Sequence, residues 1–418
     1  MAHGSTTTED GLYAAMLRRG VSRRTFLKFS AAMATALALP ASYGPRIASA
    51  VAEAPRLPLV WLRGQDCGGN TTAFLHAAQP PITELIIEIL SVEYHETIMA
   101  AAGTAATDWL RQVRADYPDG YIAVVEGGIP SAADGAHCTI GGRPFHEIVK
   151  EVAEDALVTI AVGACAFDGG ISAADGGETG SSGAAGYVPG DRLICLPGCP
   201  VNVENLTATI VHYLTFKEWP PVDARHRPYF AYGSLIHNQC ERRPHYEYGR
   251  YVQSWGDEGA QKGWCLYKMG CKGPEVFANC PTVEYASGTS WPVRAGNGCI
   301  GCHMPDFWDA MLPSYRRLPP PLFAGPTLTV DQVGLLLAGA VVGGTAIHGA
   351  ASYARDRYRK GRARRRARAA ESPVAETAEA GASVAVAAEP VAAEPVAAEP
   401  VAAEPVAAEP VAPGRGAD

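Results

Sequence analysis

Residues 156–166, ALVTIAVGACA, and residues 191–198, DRLICLPG, are the stretches on which the fold turns. Each is a short apolar run that passes into a glycine-bearing loop. A cysteine follows closely: Cys165 in the first, Cys199 one residue past the second. Strands this uniformly apolar suit a parallel sheet covered on both faces by helices. Similar runs stand at 57–62 (LPLVWL), 82–90 (ITELIIEIL) and 120–127 (GYIAVVEG), alternating with helical stretches. Residues 55–215 therefore predict an α/β domain with a parallel sheet. Ligands of open α/β sheets collect outside the carboxyl ends of the strands. Cys67, Cys165 and Cys199 each sit just after a strand, in a Gly-flanked loop, so the pattern predicts three thiols converging on one sheet edge. The competing reading is three buried structural thiols.

Working outward, the composition shifts past residue 216. From Pro228 to Pro326 the chain is rich in Tyr, Trp, Gly, Pro and Cys, with little periodicity. His237-x-x-Cys240 is followed by Cys265, Cys271, Cys280 and Cys299-x-x-Cys302. A segment with so few apolar periods is expected to lean on metal clusters for stability rather than on a core. Cys and His in fours also suit tetrahedral zinc, and spacing alone does not separate iron–sulfur clusters from zinc. Cys138 and Cys195 fall outside these runs and read as small buried apolar groups.

Both ends carry targeting signals. Ser22-Arg23-Arg24-Thr25-Phe26-Leu27-Lys28 precedes an apolar stretch from Phe29 to Leu39 and the small-residue run Ala48-Ser49-Ala50. Residues 1–50 thus read as a twin-arginine signal peptide, cleaved after Ala50 or Ala52. Thiols bound for an oxidising compartment normally pair as disulfides. Export of an already folded protein lets clusters load first and keeps the cysteines as ligands. Near the other end, residues 333–351 are free of charge, and 330–352 is long enough to cross a bilayer as a helix. Pro319, Pro320 and Pro321 form a stiff spacer before it. Nine Lys/Arg crowd Arg355–Arg368 after it, a flank expected to stay cytoplasmic. Gly339, Gly343 and Gly344 allow close approach of another membrane helix. His348 is a polar residue in the span, either a functional group or one snorkelling to the interface. Residues 353–418 are a basic flank and a low-complexity tail, VAAEP five times over 386–410. Net charge is −8 over 418 residues. With its basic residues segregated beside the span, the acidic body argues against nucleic-acid binding.

Longer motifs carry a family resemblance. Trp61-Leu62-x-Gly64-x-x-Cys67, Val125-Glu126-Gly127-Gly128-Ile129-Pro130, Gly163-Ala164-Cys165-Ala166 with Gly169-Gly170, and Pro197-Gly198-Cys199-Pro200 stand in the first domain. His237-x-x-Cys240, Gly263-Trp264-Cys265-Leu266, Gly270-Cys271-Lys272-Gly273-Pro274, Ser290-Trp291-Pro292-Val293 and Cys299-Ile300-Gly301-Cys302 before Phe307-Trp308-Asp309 stand in the second. In this order they resemble the small, electron-transferring subunit of membrane-bound NiFe uptake hydrogenases, over everything but the repeat tail. The resemblance implies a flavodoxin-like domain over 55–215 and an irregular iron–sulfur domain over 216–326. One C-terminal transmembrane helix would follow. It implies a large partner subunit that holds the nickel–iron centre, so no catalytic residue is expected in this chain.

Three iron–sulfur clusters are implied. A distal 4Fe–4S cluster would take His237, Cys240, Cys265 and Cys271. A medial 3Fe–4S cluster would take Cys280, Cys299 and Cys302, with Pro292 where a fourth cysteine would stand. A proximal cluster would take Cys67, Cys165 and Cys199. Electrons would leave toward a membrane cytochrome b or another quinone-reducing subunit, with His348 near its haem or quinone. The family's first loop reads Cys-x-x-Cys, whereas this chain has Cys67-Gly68-Gly69-Asn70. The proximal cluster is then 4Fe–4S with Asn70, Asp168 or Asp66 as fourth ligand, or 3Fe–4S. Extra cysteines that mark one oxygen-tolerant class would fall at Gly69 and Gly170, both glycine here. Glu126 reads as a helix cap or a satisfied buried carboxylate. Rival readings are an iron–sulfur subunit of another membrane respiratory complex and a zinc-binding exported structural protein.

Overall fold

The structure is a computed structural model. It describes residues 23–78, 81–82, 85, 89–286, 288–313, 315 and 330–370. The proline spacer and the VAAEP tail lie outside the described residues. Two compact units are present, 1–341 and 342–418.

The first unit is built on five parallel strands: β1 Leu57–Arg63, β2 Leu90–His95, β3 Ile122–Glu126, β4 Val158–Val162 and β5 Leu193–Leu196. Their order is β2-β1-β3-β4-β5, the flavodoxin-like arrangement, whose switch point lies between β1 and β3. Side chains alternate across the sheet. Leu59, Trp61, Ile122, Val124, Ile160 and Ile194 enter one apolar core. Val60, Leu62, Ala123, Val125, Ala161 and Cys195 enter the other. Both faces are buried, which is why the strands read as continuous apolar runs. Four strands match the sequence reading. The remaining one begins at Leu90, where the run 82–90 ends, and most of that run lies outside the described residues. Its sequence, LSVEYH, is only half buried at the sheet edge, so Ser91 and Glu93 hide it from an apolar-run criterion.

The second face is covered by helices at Thr104–Asp116 and Phe145–Glu154, the latter packing Ile148, Val149 and Val152 inward. The first is covered by a helix at Val203–Phe216, started by Asn202, whose side chain accepts the Glu204 N–H at 3.0 Å. That cap is the expected Asn N-cap. Two more helices, Arg23–Ala36 and Gly44–Glu53, pack on the Val203–Phe216 helix through Phe29, Met33, Ile47 and Val51. The expected cleavage points thus fall within or at the edge of a helix whose Ala48, Val51 and Ala52 are buried. An apolar signal stretch with no translocase or lipid to enter buries itself on the nearest apolar surface.

The region 228–307 differs from expectation in one respect. Its regular elements are three- to five-residue turns of helix, as its composition suggests. Yet Ile236, Val252, Leu266, Val276, Trp291 and Val293 are buried in the same core as the sheet's first face. These residues come singly from loops, so no period announces them. Reciprocal amide bonds between Asn205 and Asn279, at 3.0 and 2.8 Å, pin the turn beginning at Cys280 to the Val203–Phe216 helix.

A 41-residue helix spans Val330–Ala370. It is the one described helix apolar and long enough to span a bilayer, over Gly334–Arg368. The charge-free part is about 28 Å long at 1.5 Å per residue, close to the hydrocarbon thickness of about 30 Å. His348 lies on it, exposed in this chain.

Candidate metal centres

At the carboxyl edge of the sheet, register aligns Arg63 with Glu126, Glu126 with Val162, and Val162 with Leu196. The loops that follow therefore leave at one level. Cys67 precedes a helix at Gly69–Leu75, Cys165 sits in the helix Gly163–Asp168, and Cys199 follows Gly198. The three thiols lie close enough to feel one another electrostatically. Cys67 and Cys199 are exposed on this face, and Cys165 is partly buried. Beside them the two glycines of interest pack closely on the thiols. A Cβ at Gly170 would lie 2.5 Å from Cys165 Sγ, and one at Gly69 3.1 Å from Cys67 Sγ.

Glu126 holds this edge together. Its fully buried carboxylate accepts Trp61 Nε1–H at 2.9 Å, the Asn70 N–H at 3.0 Å and the Thr71 N–H at 3.1 Å, and also the Thr71 hydroxyl. It caps the helix that follows Cys67, the structural role expected for it.

The candidate fourth ligands are all engaged elsewhere. Asn70 is buried; its Oδ1 accepts the Val201 N–H at 2.7 Å, and its side chain lies against Gly163, where a Cβ would meet it at 2.5 Å. Asp66 pairs with Arg63 at 2.6 Å and accepts the Gly68 N–H at 2.6 Å. Asp168 accepts the Gly170 N–H at 2.9 Å and the Asp306 N–H at 2.7 Å.

Further along, His237, Cys240, Cys265 and Cys271 line one cavity of about 20 Å³. His237 rides on the turn Ile236–Gln239, and Tyr246 meets its ring edge-on with centroids 4.6 Å apart. Cys240 Sγ accepts the Arg242 N–H at 3.4 Å, and Cys271 Sγ accepts the Cys299 N–H at 3.2 Å. Between this cavity and the sheet edge stand Cys280, Cys299 and Cys302, mutually interacting, with Cys280 and Cys299 buried. Pro292 is exposed and offers no ligand. Cys302 in turn lies close enough to Cys199 for the two thiols to interact electrostatically. Cys195 is buried in the sheet's second core and Cys138 packs against it, both as apolar groups.

The donor chemistry fits iron–sulfur clusters. Burial pushes the thiols up, to about 11 at Cys165 and Cys240 and about 12 at Cys265 and Cys302. Such thiols become ligands only when a cation displaces the proton. None of the eleven cysteines is in a disulfide. A lone zinc ion needs its ligands within about 2.0–2.3 Å of one point. Among the described residues no group of three His, Cys, Asp or Glu side chains converges on one ion. The His237 set instead lines a shared cavity, each side chain facing it from a different segment.

One residue was missed by the sequence reading. His303, 2% exposed, stands between Cys280 and Cys302. Its signal was the run Cys299-x-x-Cys302-His303, a spacing otherwise read as haem attachment.

Comparison with known proteins gives the following matches. Residues 232–315 match the family model for the C-terminal region of the NiFe/NiFeSe hydrogenase small subunit. Residues 67–213 match that of the NADH ubiquinone oxidoreductase 20 Kd subunit, and residues 20–40 the twin-arginine translocation signal. The chain is 40% identical to the uptake hydrogenase small subunit of Azotobacter vinelandii, covering 79% of this chain and 92% of that one. It is 41% identical to the quinone-reactive Ni/Fe-hydrogenase small chain of Wolinella succinogenes, covering 77% and 93%. Among solved structures it is similar to the [NiFeSe]-hydrogenase of Dm. baculatum, at TM-score 0.59 and 29% identity, covering 63% of this chain and all of that one. The actinobacterial-type NiFe-hydrogenase of Ralstonia eutropha H16 matches at TM-score 0.59 and 25% identity, covering 70% and 91%.

Proposed function

The chain belongs to the small-subunit family of NiFe hydrogenases, and on that premise we propose that it carries electrons from a nickel–iron large subunit through three iron–sulfur clusters toward a quinone-reducing membrane partner. Bound clusters supply one-electron carriers; the chain's own residues order them. Cys67, Cys165 and Cys199 hold the proximal position at the exposed sheet edge, where a large subunit would cover them. Cys280, Cys299 and Cys302 hold the medial one, with three iron atoms because no fourth thiol is present. His237, Cys240, Cys265 and Cys271 hold the distal one as 4Fe–4S.

The observation that carries this reading is the contact between successive ligand sets. The Cys299 N–H donates to Cys271 Sγ at 3.2 Å, and Cys302 lies close enough to Cys199 for the two thiols to interact electrostatically. The medial set therefore neighbours both the distal and the proximal set, the order a relay needs.

At the proximal position, three thiolates without a fourth protein ligand, as 3Fe–4S, is the reading we favour. Asp66 and Asp168 already neutralise Arg63 or cap backbone amides, and the oxygen of Asn70 is used by Val201. The 4Fe–4S alternative would use Asp168 at the loss of one of its hydrogen bonds. Fewer thiolates leave less negative charge and raise the potential, which favours hydrogen oxidation.

The helix at 330–370 anchors the chain, with the exported body on one side and the basic flank Arg355–Arg368 in the cytoplasm. A membrane cytochrome b is the partner of choice at the distal end, with His348 beside its haem or quinone. Iron and acid-labile sulfide assays with EPR on the purified complex test the assignment. Three distinct cluster signals support it; stoichiometric zinc without sulfide would overturn it.

A further inference from the structure

We infer that His303 is a positioning residue that raises the potential of the medial site, donating a ring N–H to Cys302 Sγ while the Tyr285 hydroxyl holds the ring from its other side. This deepens the reading of Cys280, Cys299 and Cys302 as holders of one cluster and rests on it.

The geometry is specific. Nδ1 of His303 lies 3.5 Å from Cys302 Sγ. Nε2 lies 3.8 Å from Cys280 Sγ and 3.3 Å from Tyr285 Oη. The ring is flanked by Tyr232, with centroids 5.8 Å apart. Its backbone is held as well: Arg227 Nη1 donates to the His303 carbonyl at 3.0 Å, and Asp223 fixes Arg227 at 2.8 Å. A histidine held at ring and backbone does not rotate to suit whatever binds beside it.

The proton assignment follows from the neighbour. A cysteine sulfur bound to iron has lost its proton and only accepts. The N–H is placed on Nδ1, which is nearer its sulfur (3.5 Å to Cys302, against 3.8 Å from Nε2 to Cys280), and Nε2 then accepts from the Tyr285 hydroxyl at 3.3 Å. Ligation by His303 itself fits less well. A nitrogen occupying its own cluster corner would stand off from the sulfurs of the other corners, whereas His303 is in contact distance of two.

The direction of the effect is electrostatic. Reduction adds a negative charge to the cluster, and an N–H aimed at a ligand sulfur stabilises that charge more than it stabilises the oxidised form. His303 thus raises the medial potential, keeping electrons moving outward from the proximal site. Pro292 removes a thiolate and His303 adds a donor, so both act in the same sense.

The test is an EPR-monitored redox titration of the medial signal in the complete membrane-extracted complex, as wild type and as His303→Ala, His303→Gln and Tyr285→Phe. In His303→Ala the midpoint falls by at least about 59 mV, a tenfold change in the one-electron equilibrium. His303→Gln, which keeps an N–H, recovers part of the drop, and Tyr285→Phe shifts it less and in the same direction. In protein labelled with 15N only at histidine, the medial signal carries a nitrogen coupling that His303→Gln abolishes. A wild-type complex with no medial cluster signal would sink the underlying assignment. A normal medial signal with unmoved midpoints, or with no histidine coupling, overturns the inference while leaving that assignment standing. If His303→Ala fails to hold the cluster, the Tyr285→Phe and His303→Gln midpoints decide on the same terms.

Discussion

Replacing Asn70 by cysteine puts a fourth thiol where this chain has an amide, and the structure sets both the cost and the gain. The cost is local. Asn70 Oδ1 is the acceptor for the Val201 N–H, at 2.7 Å, and Val201 is fully buried. Cysteine leaves that amide without its acceptor, a loss of about 1–3 kcal/mol, or roughly five- to 150-fold in the folding equilibrium. Sterics add nothing, because the side chain lies against Gly163 and cysteine is smaller than asparagine. The gain is a ligand beside Cys67, Cys165 and Cys199. Asn70→Cys is expected to take up one more iron at the proximal site and to lower its potential, because a thiolate adds negative charge. Asn70→Ala is the control: it loses the same hydrogen bond and gains no ligand, so its stability falls and its iron content does not rise. The assay is Mössbauer and EPR spectroscopy of the purified complex with iron and sulfide counts, alongside thermal denaturation. Finding four irons at the wild-type proximal site, or unchanged iron and potential in Asn70→Cys, refutes the three-thiolate reasoning.

Other consequences can be checked with simpler measurements. Glu126→Gln keeps one acceptor oxygen where four donors converge; a loss of about 3 kcal/mol or more in denaturant unfolding is expected, with weakened proximal cluster retention. A loss under about 0.5 kcal/mol would show that the carboxylate is not the tie between β1, β3 and the Cys67 loop. Ile47→Asp should undock the helix Gly44–Glu53, in which Ile47 is fully buried, and speed signal cleavage of the folded precursor by purified signal peptidase. Equal rates would show that docking does not shield the cleavage point. His348→Ala should leave dye-linked hydrogen oxidation intact while slowing quinone reduction, and parallel loss of both activities argues against a role at the acceptor.

How much of this was legible in the chain depended on how each feature is encoded. The strands bearing Trp61, Val124 and Ile160 were visible because burial on both faces makes a run apolar throughout. The edge strand 90–95 was not, because one side of it needs no apolar residues. Cysteines just past strands were legible as a group, since carboxyl ends of parallel strands share one edge. The role of Glu126 as a cap was anticipated in kind, but its partners Trp61 and Thr71 come from separate segments. The core of 228–307 escaped because loops deliver Ile236, Val276 and Trp291 one at a time. His303 escaped because nothing in its own segment says that Tyr285 and Cys280 face it.

Local chemistry along the chain therefore decided the class of the protein: apolar runs, Gly-bearing loops, ligand types, an export signal and a membrane-length helix all act within a few residues. Tertiary structure decided the rest, namely which amide meets which sulfur, that the oxygen of Asn70 is used by Val201, and that the signal helix lies on the body. Those outcomes depend on distances between segments more than a hundred residues apart in places, as between Asn70 and Val201. Hydrogen bonds act over about 3 Å, so only packing that brings the segments together can select them.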